Sequence, residues 1–552
     1  MTGIITGRLV DCLAGKVFPV RLTWEGTKIR SVERLPEDAS TTALPFLMPG
    51  FIDAHVHIES SMLVPSAFAR LAVVHGTVAT VSDPHEIANV CGREGVDFMV
   101  DNGRTVPFKF HFGAPSCVPA TTFETAGAKL DGRDVEELLD RPEILYLSEM
   151  MNFPGALHGD PEVLAKIEAA RLRGKPVDGH APGLRGDDLL RYIARGISTD
   201  HECFTREEAL EKLLAGMKVI VREGSAARNF EALADLLHHH ADDMMFCSDD
   251  KHPDSLVDGH IDRLCARAVA KGIDVFKVLR AACVNPVRHY GLNVGLLREG
   301  DPADFILVED LKDFRVLETW IDGQCVAKDG RSLIPATDPH SPESMAARKV
   351  NRFSCQPQKP SDFHMPDDGR GSYSLPVIEA YDGQLITGKL DLQPLRTDCH
   401  WVSDPERDIL KIVVVNRYNE APVAKAFIRN IGLKKGALAS SVAHDSHNIV
   451  AVGVDDESLC RAVNAVIAHQ GGVSCVMDDR ETVLPLPVGG LMSVDDGYRV
   501  AEAYTAIDRM AKEAGSTLES PFMTLSFMAL LVIPRLKLSD LGLFDGDEFR
   551  LL

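Results

Sequence analysis

The chain has no apolar run long enough to cross a bilayer. Its greasiest stretch, around Phe527 to Ile533, falls far short of the ~20 residues a spanning helix needs. It also lacks any excess of positive charge. Against 81 Asp and Glu stand 59 Lys and Arg, a formal net charge of −22 spread along the sequence. A protein that tracks phosphates needs a basic surface, so no nucleic-acid partner is expected. None of the twelve cysteines forms a Cys-x-x-Cys pair, which favours free thiols in a reducing compartment over a disulfide framework. The first ten residues show no basic segment followed by an apolar core. No signal peptide is expected, and the chain reads as cytoplasmic with no membrane partner.

What is present is an ordinary globular composition, 45% hydrophobic and 25% charged, over 552 residues, enough for more than one domain. Residues 1 to 47 alternate apolar and polar in short runs broken by Gly and Pro, as in the strands of a small sheet. From 48 to 295 strand-like runs alternate with helical ones, which predicts parallel β/α units. Eight strands are expected, Leu47 to His55, Thr77 to Ser82, Phe108 to Ala114, Ile144 to Met150, Pro176 to His180, Ile197 to His201, Lys218 to Glu223 and Met244 to Ser248. Eight units in about 250 residues is the size of a (β/α)8 TIM-like barrel. No Gly-rich phosphate loop follows the first strand, which argues against a doubly wound open sheet.

The α/β barrel of residues 48–295 is therefore expected beside a small β-sandwich domain built from both flanks, 1–47 plus 296–350. A C-terminal α+β domain would fill 351–552. Across the boundary between these two domains, residues 335 to 372 are rich in Pro, Ser and charge and read as a linker or surface excursion.

The active site of such a barrel lies at the C-terminal ends of its strands. Strand one ends in Asp53-Ala54-His55-Val56-His57, whose two imidazoles at i and i+2 project from one face. Strand four ends in Glu149, strand five in His180, strand six in His201 and strand eight in Asp249. An isolated His-x-His would read as a pair of surface histidines, and a lone buried histidine as a satisfied core residue. Four His, one Glu and one Asp at six strand-end positions instead suggest two divalent metals bridged by Glu149, which would activate water against an electrophilic carbon. Such donors suit Zn, Fe or Mn. Asp83, His85 and Glu86 end strand two and could contact substrate, although Asp83-Pro84 could equally start a plain turn. Arg222 could contact substrate or pair with Glu223. His444-Asp445-Ser446-His447 is too short a span for a catalytic triad and reads as a polar loop closing the mouth or ordering the C-terminal domain. His238-His239-His240 reads as a solvated helix end.

Pro49-Gly50-Phe51-Ile52-Asp53-Ala54-His55-Val56-His57 resembles the opening motif of the amidohydrolase superfamily. Ser148-Glu149-Met150-Met151-Asn152, Asp178-Gly179-His180-Ala181-Pro182-Gly183-Leu184, Ser198-Thr199-Asp200-His201-Glu202, Val221-Arg222-Glu223-Gly224-Ser225 and Ser248-Asp249-Asp250-Lys251-His252-Pro253-Asp254 are similar to its adenine deaminase branch. The stretches 432–448 and 523–527 resemble that branch's C-terminal domain.

The resemblance implies hydrolytic deamination of adenine at C6 to hypoxanthine and ammonia, with a purine base as the small-molecule partner. It implies two divalent ions, Mn2+ or Fe2+ ahead of Zn2+, held by His55, His57, Glu149, His180, His201 and Asp249. Asp249 occupies the place of the family's proton-shuttling aspartate, which makes Asp249 and Glu149 the expected catalytic pair. The chain departs from the family at 415–424, which lacks the expected His- and Gly-rich segment. The alternatives are an amidohydrolase acting on another aminopurine or a cyclic amide, or a non-catalytic barrel scaffold. Oligomeric state is left open.

Overall fold

The structure is a computed structural model that describes residues 2–367 and 374–552. Eight parallel strands close a barrel. Phe51–Val56, Thr77–Ser82, Lys109–Ala114, Ile144–Met150 and Val177–Gly179 form one run, and Thr199–Asp200, Lys218–Arg222 and Met244–Cys247 another. Parallel bridges between Val177 and Ile197 and between Val56 and Asp249 join the two runs into a ring. Every residue of the first, second and last strands is buried. Strands packed inside a barrel and against its helices need apolar side chains on both faces, and the sequence supplies them. Polar side chains then concentrate where the strands end.

One expected strand divides in two. Leu47 to His55 is not continuous: Phe46–Met48 pairs with the N-terminal sheet, and the barrel strand begins at Phe51. Pro49 has no N–H to donate to a ladder. Gly50 packs so closely that a Cβ there would lie 2.3 Å from Val78 Cγ1. The Pro-Gly step thus hands the chain from one sheet to the other.

The two flanks meet in one eight-stranded sheet. Thr2–Asp11, Lys16–Glu25 and Lys28–Arg34 continue through Phe46–Met48 into Phe305–Val308, Val316–Ile321, Gln324–Lys328 and Arg331–Ser332. The sheet folds over its own core. Trp24 packs edge-on against Phe305 and Trp320, with ring centroids 5.5 and 5.1 Å away. The expected linker holds only a short helix, Pro342–Ala347, a single turn at Pro360–Phe363 and a two-residue strand, Met365–Pro366. Its last five residues, 368–372, lie outside the described residues.

The C-terminal unit is a second eight-stranded sheet, with Ile409–Val415, Ile449–Gly453, Ala437–Ser440 and Gly472–Met477 at its centre. Helix Asp456–Ala468 covers one face. Helix Gly497–Glu513 packs on barrel helix Pro253–Asp258, which seats the unit over the barrel mouth. Among the described residues, no helix is long and apolar enough to cross a membrane. All twelve cysteines are free.

Candidate metal centre

The six side chains expected at the strand ends meet at one point. His55 Nε2 and His57 Nε2 lie 3.1 Å apart. Asp249 Oδ1 is 3.6 Å from the first and 3.3 Å from the second. Glu149 stands between two histidine pairs. Its Oε1 faces His57 at 3.3 Å and His55 at 3.9 Å, while Oε2 faces His180 Nδ1 at 2.7 Å and His201 Nε2 at 3.2 Å. All six residues are buried.

The backbone explains the convergence. Asp249 adopts a left-handed φ of +53°, a conformation that Asp tolerates better than most residues. Its N–H donates to His55 O at 3.0 Å and its carbonyl accepts from His57 N–H at 3.3 Å. The end of strand eight is thereby stitched to strand one on both sides of the aspartate. Behind this seam, Asp53 accepts from Ser248 N–H at 2.9 Å and from His260 Nε2 at 2.8 Å. Buried Lys212 donates to Ala181 O at 2.8 Å and Asp200 Oδ2 at 2.9 Å, tying together the loops that carry His180 and His201.

The donor set fits divalent cations. Ligands about 2.1 Å from a common ion stand about 3.0–3.4 Å from one another, and most of these separations fall in or close to that range. His57 Nδ1 donates to Asp83 O at 3.2 Å, which leaves Nε2 as the atom that faces the centre. Burial would raise Glu149, but the imidazoles of His180 and His201 outweigh it and hold the carboxyl well below the usual range. Burial pushes His55 well down. His57, equally buried, is instead raised by hydrogen bonds to Asp249 and Glu149.

The remaining expected residues are placed differently from one another. Asp83 turns onto His85, accepting from its Nδ1 at 2.9 Å and its N–H at 3.1 Å. His85 reaches the centre, with Nδ1 3.6 Å from Glu149 Oε1. Glu86 gives both carboxylate oxygens to His444 and His447. Arg222 does not pair with Glu223. Its guanidinium grips both oxygens of Glu202 and also reaches Asp249 Oδ2 at 3.0 Å, whereas Glu223 pairs with Arg267. Neighbouring strand residues point to opposite faces, so the two could not share one.

Glu202, Asp250 and Asp445 were given no role by the sequence. Glu202 lies 3.3 Å from His201 Nε2, and Arg222 foremost overcomes its burial to bring it down to about 2. Asp250 accepts from Ser60 Oγ at 2.5 Å. The signal available for the first two was adjacency to a strand-end candidate ligand; for Asp445 it was membership of the loop expected to close the mouth. The expected mouth-closing loop does roof the site. His444, Asp445, Leu385 and Leu530 line the central cavity from the side of the C-terminal unit. The divergent segment at 415–424 stays outside this lining. It buttresses the loop, through Tyr418 OH to Ser446 O at 2.7 Å and Arg417 N–H to Asn448 Oδ1 at 3.1 Å. His239 is exposed at its helix end, between half-buried His238 and His240.

Residues 46–326 match the amidohydrolase family, and residues 384–550 match the adenine deaminase C-terminal domain. The chain is 56% identical to the adenine deaminase of Salinibacter ruber, covering 99% of this chain and 97% of that protein. The chain belongs to the adenine deaminase family. Other adenine deaminases are similar over nearly the full length. That of Methanosarcina acetivorans is 52% identical, covering 98% of both chains, and that of Borreliella burgdorferi is 46% identical, covering 99% of this chain and 98% of the relative. Membership in this amidohydrolase family implies a divalent metal centre, and the His, Glu and Asp cluster at the barrel mouth is its candidate seat.

Proposed function

We propose that this protein hydrolyses adenine to hypoxanthine and ammonia, using two divalent ions held by His55, His57, Glu149, His180, His201 and Asp249. The observation that carries the reading is the position of Glu149, whose two oxygens face two separate histidine pairs as a bridging carboxylate must. Identity over the whole chain with adenine deaminases supports the substrate. When bound, the metal pair supplies Lewis acidity that brings the pKa of water towards neutrality.

The chain's own groups supply the remainder. Attack at C6 requires a proton delivered to N1 as charge develops there, and a second proton on the departing amine. Asp249 is the proton carrier in this reading. Its carboxylate borders the histidine pair on one side and is steadied by Arg222 on the other. The side chains around the centre are buried, which strengthens each of these interactions. Mn2+ or Fe2+ is the favoured metal, and twelve unpaired cysteines favour a reducing, cytoplasmic setting.

The test is to load the purified protein separately with Mn2+, Fe2+ and Zn2+, count bound metal, and follow ammonia release from a panel of aminopurines. Two metals per chain and turnover of adenine ahead of the other bases are expected. Turnover of a different base, with adenine untouched, would discard the substrate and keep the hydrolytic site.

A further inference from the structure

The chemistry proposed above uses groups at the ends of barrel strands, yet part of the cavity wall comes from elsewhere. His444 belongs to the C-terminal unit and is 2% exposed. Its Nδ1 donates to Glu86 Oε1 at 2.5 Å, which fixes the ring, and its face lies 5.2 Å from the ring of Phe527. His444 lines the cavity, and its other nitrogen, Nε2, has no hydrogen-bond partner among the described residues. The nearest opposite charge is Asp250 Oδ1 at 3.8 Å. Asp445 follows directly and lines the same cavity, with Oδ2 also unpartnered. A buried polar atom without a partner is costly, so two on consecutive residues that line one cavity mark a place where a ligand supplies the partners.

Glu86, His444 and His447 together have the composition of a metal site, but hydrogen bonding argues for another role. Ala443 N–H donates to His447 Nδ1 at 3.1 Å. The proton of His447 is therefore on Nε2, the atom that meets Glu86. His447 is a donor to the carboxylate, and Glu86 is a clamp that aims His444.

We infer that His444, aimed by Glu86, contacts the substrate and reads the ring nitrogen N3 of the purine. This rests on the adenine reading above. C6 and its amine must face the metal centre, which turns the N3 and N9–H edge towards the opposite wall. That edge offers an acceptor beside a donor. His444 and Asp445 offer a donor beside an acceptor. Burial would strip the proton from His444, but the carboxylates of Glu86 and Asp250 outweigh it and raise the imidazole to about 9, so Nε2 carries a hydrogen at neutral pH.

The experiment compares adenine, 3-deazaadenine and 7-deazaadenine in metal-loaded wild type, His444→Gln and Glu86→Gln, by kcat/KM and by calorimetric binding. A site built to hydrogen-bond N3 rejects the 3-deaza base by about 100-fold or more. Both variants are expected to lose about that factor with adenine, and the preference of adenine over 3-deazaadenine should collapse to within about threefold. The preference of adenine over 7-deazaadenine should stay as in wild type. An equal fall for all three bases, with the 3-deaza preference intact, would show a merely structural role and overturn the inference. Loss of the 3-deaza preference in binding, in a protein that releases no ammonia, would uphold the contact and refute the deamination. Ammonia release with that preference unchanged in both variants would do the reverse.

Discussion

Arg222 Nη1 donates to Asp249 Oδ2 at 3.0 Å, while the other oxygen of the same carboxylate faces His57 Nε2 at 3.3 Å. One carboxylate thus divides its work between an arginine and the histidine pair of the first barrel strand. Burial would raise the Asp249 carboxyl. A hydrogen bond from His57 and then the charge of Arg222 overcome it and hold the group well below its usual range. Removing the cation must therefore raise it. In Arg222→Gln the acid limb of the kcat/KM profile should move to higher pH, with a fall of about tenfold or more at the optimum. An acid limb left in place would separate Arg222 from the proton-carrying role of Asp249.

Glu149→Gln keeps the volume of the side chain proposed to bridge the metals and removes its charge. The two histidine pairs would then lack their shared anion. Bound metal is expected to drop from two ions to one or fewer, with at least about 100-fold lower turnover. Elemental analysis of the purified variant reads the first outcome independently of the second. Full metal occupancy in the variant would refute the bridging assignment.

The contact between Glu86 and His444 should leave a signature in stability. The imidazole is raised in the folded chain, to about 9, from an unfolded value near 6.5. Such a group contributes in full below pH ~6.5, and the contribution is lost as pH rises through about 9. The Tm gap between metal-loaded wild type and His444→Gln should be widest below pH ~6.5 and narrow steadily towards pH ~9.5. A gap constant across that window would contradict the ion pair.

Gly490 supports the roof from behind. Its φ is +70°, and a Cβ there would fall 2.1 Å from Arg417 Nη1. Arg417 is fully buried and donates to Gly489 O at 2.5 Å, so it has nowhere to retreat. Gly490→Ala is expected to cost about 1–3 kcal/mol and to lower Tm by several degrees, with the metal count unchanged. Unchanged Tm would mean that the Arg417 side chain repacks freely.

The barrel was legible because its determinants are local and repetitive. Runs buried on both faces must be apolar throughout, helices announce themselves at their caps (Asp160 before Pro161 is one), and a ligand at the end of a strand points into the mouth by geometry alone. Hence His55, His57, Glu149, His180, His201 and Asp249 could be picked out one strand at a time. Pro49-Gly50 marks the limit of that logic. A continuous apolar stretch concealed the change of sheet, which depends on which strand each half finds as a neighbour.

The pairings across the site belong to the tertiary structure alone. Nothing near residue 86 indicates a partner 358 residues away at His444. Nor does Arg222 reveal that it will leave its neighbour Glu223 for Glu202 and Asp249. Sequence determined which side chains can bind a metal and which strand end each occupies, because those follow from periodicities of two and 3.6 residues. Only the closed ring, with the C-terminal unit seated on it, decided which charges meet, since an ion pair is set by distance in space and not by separation along the chain.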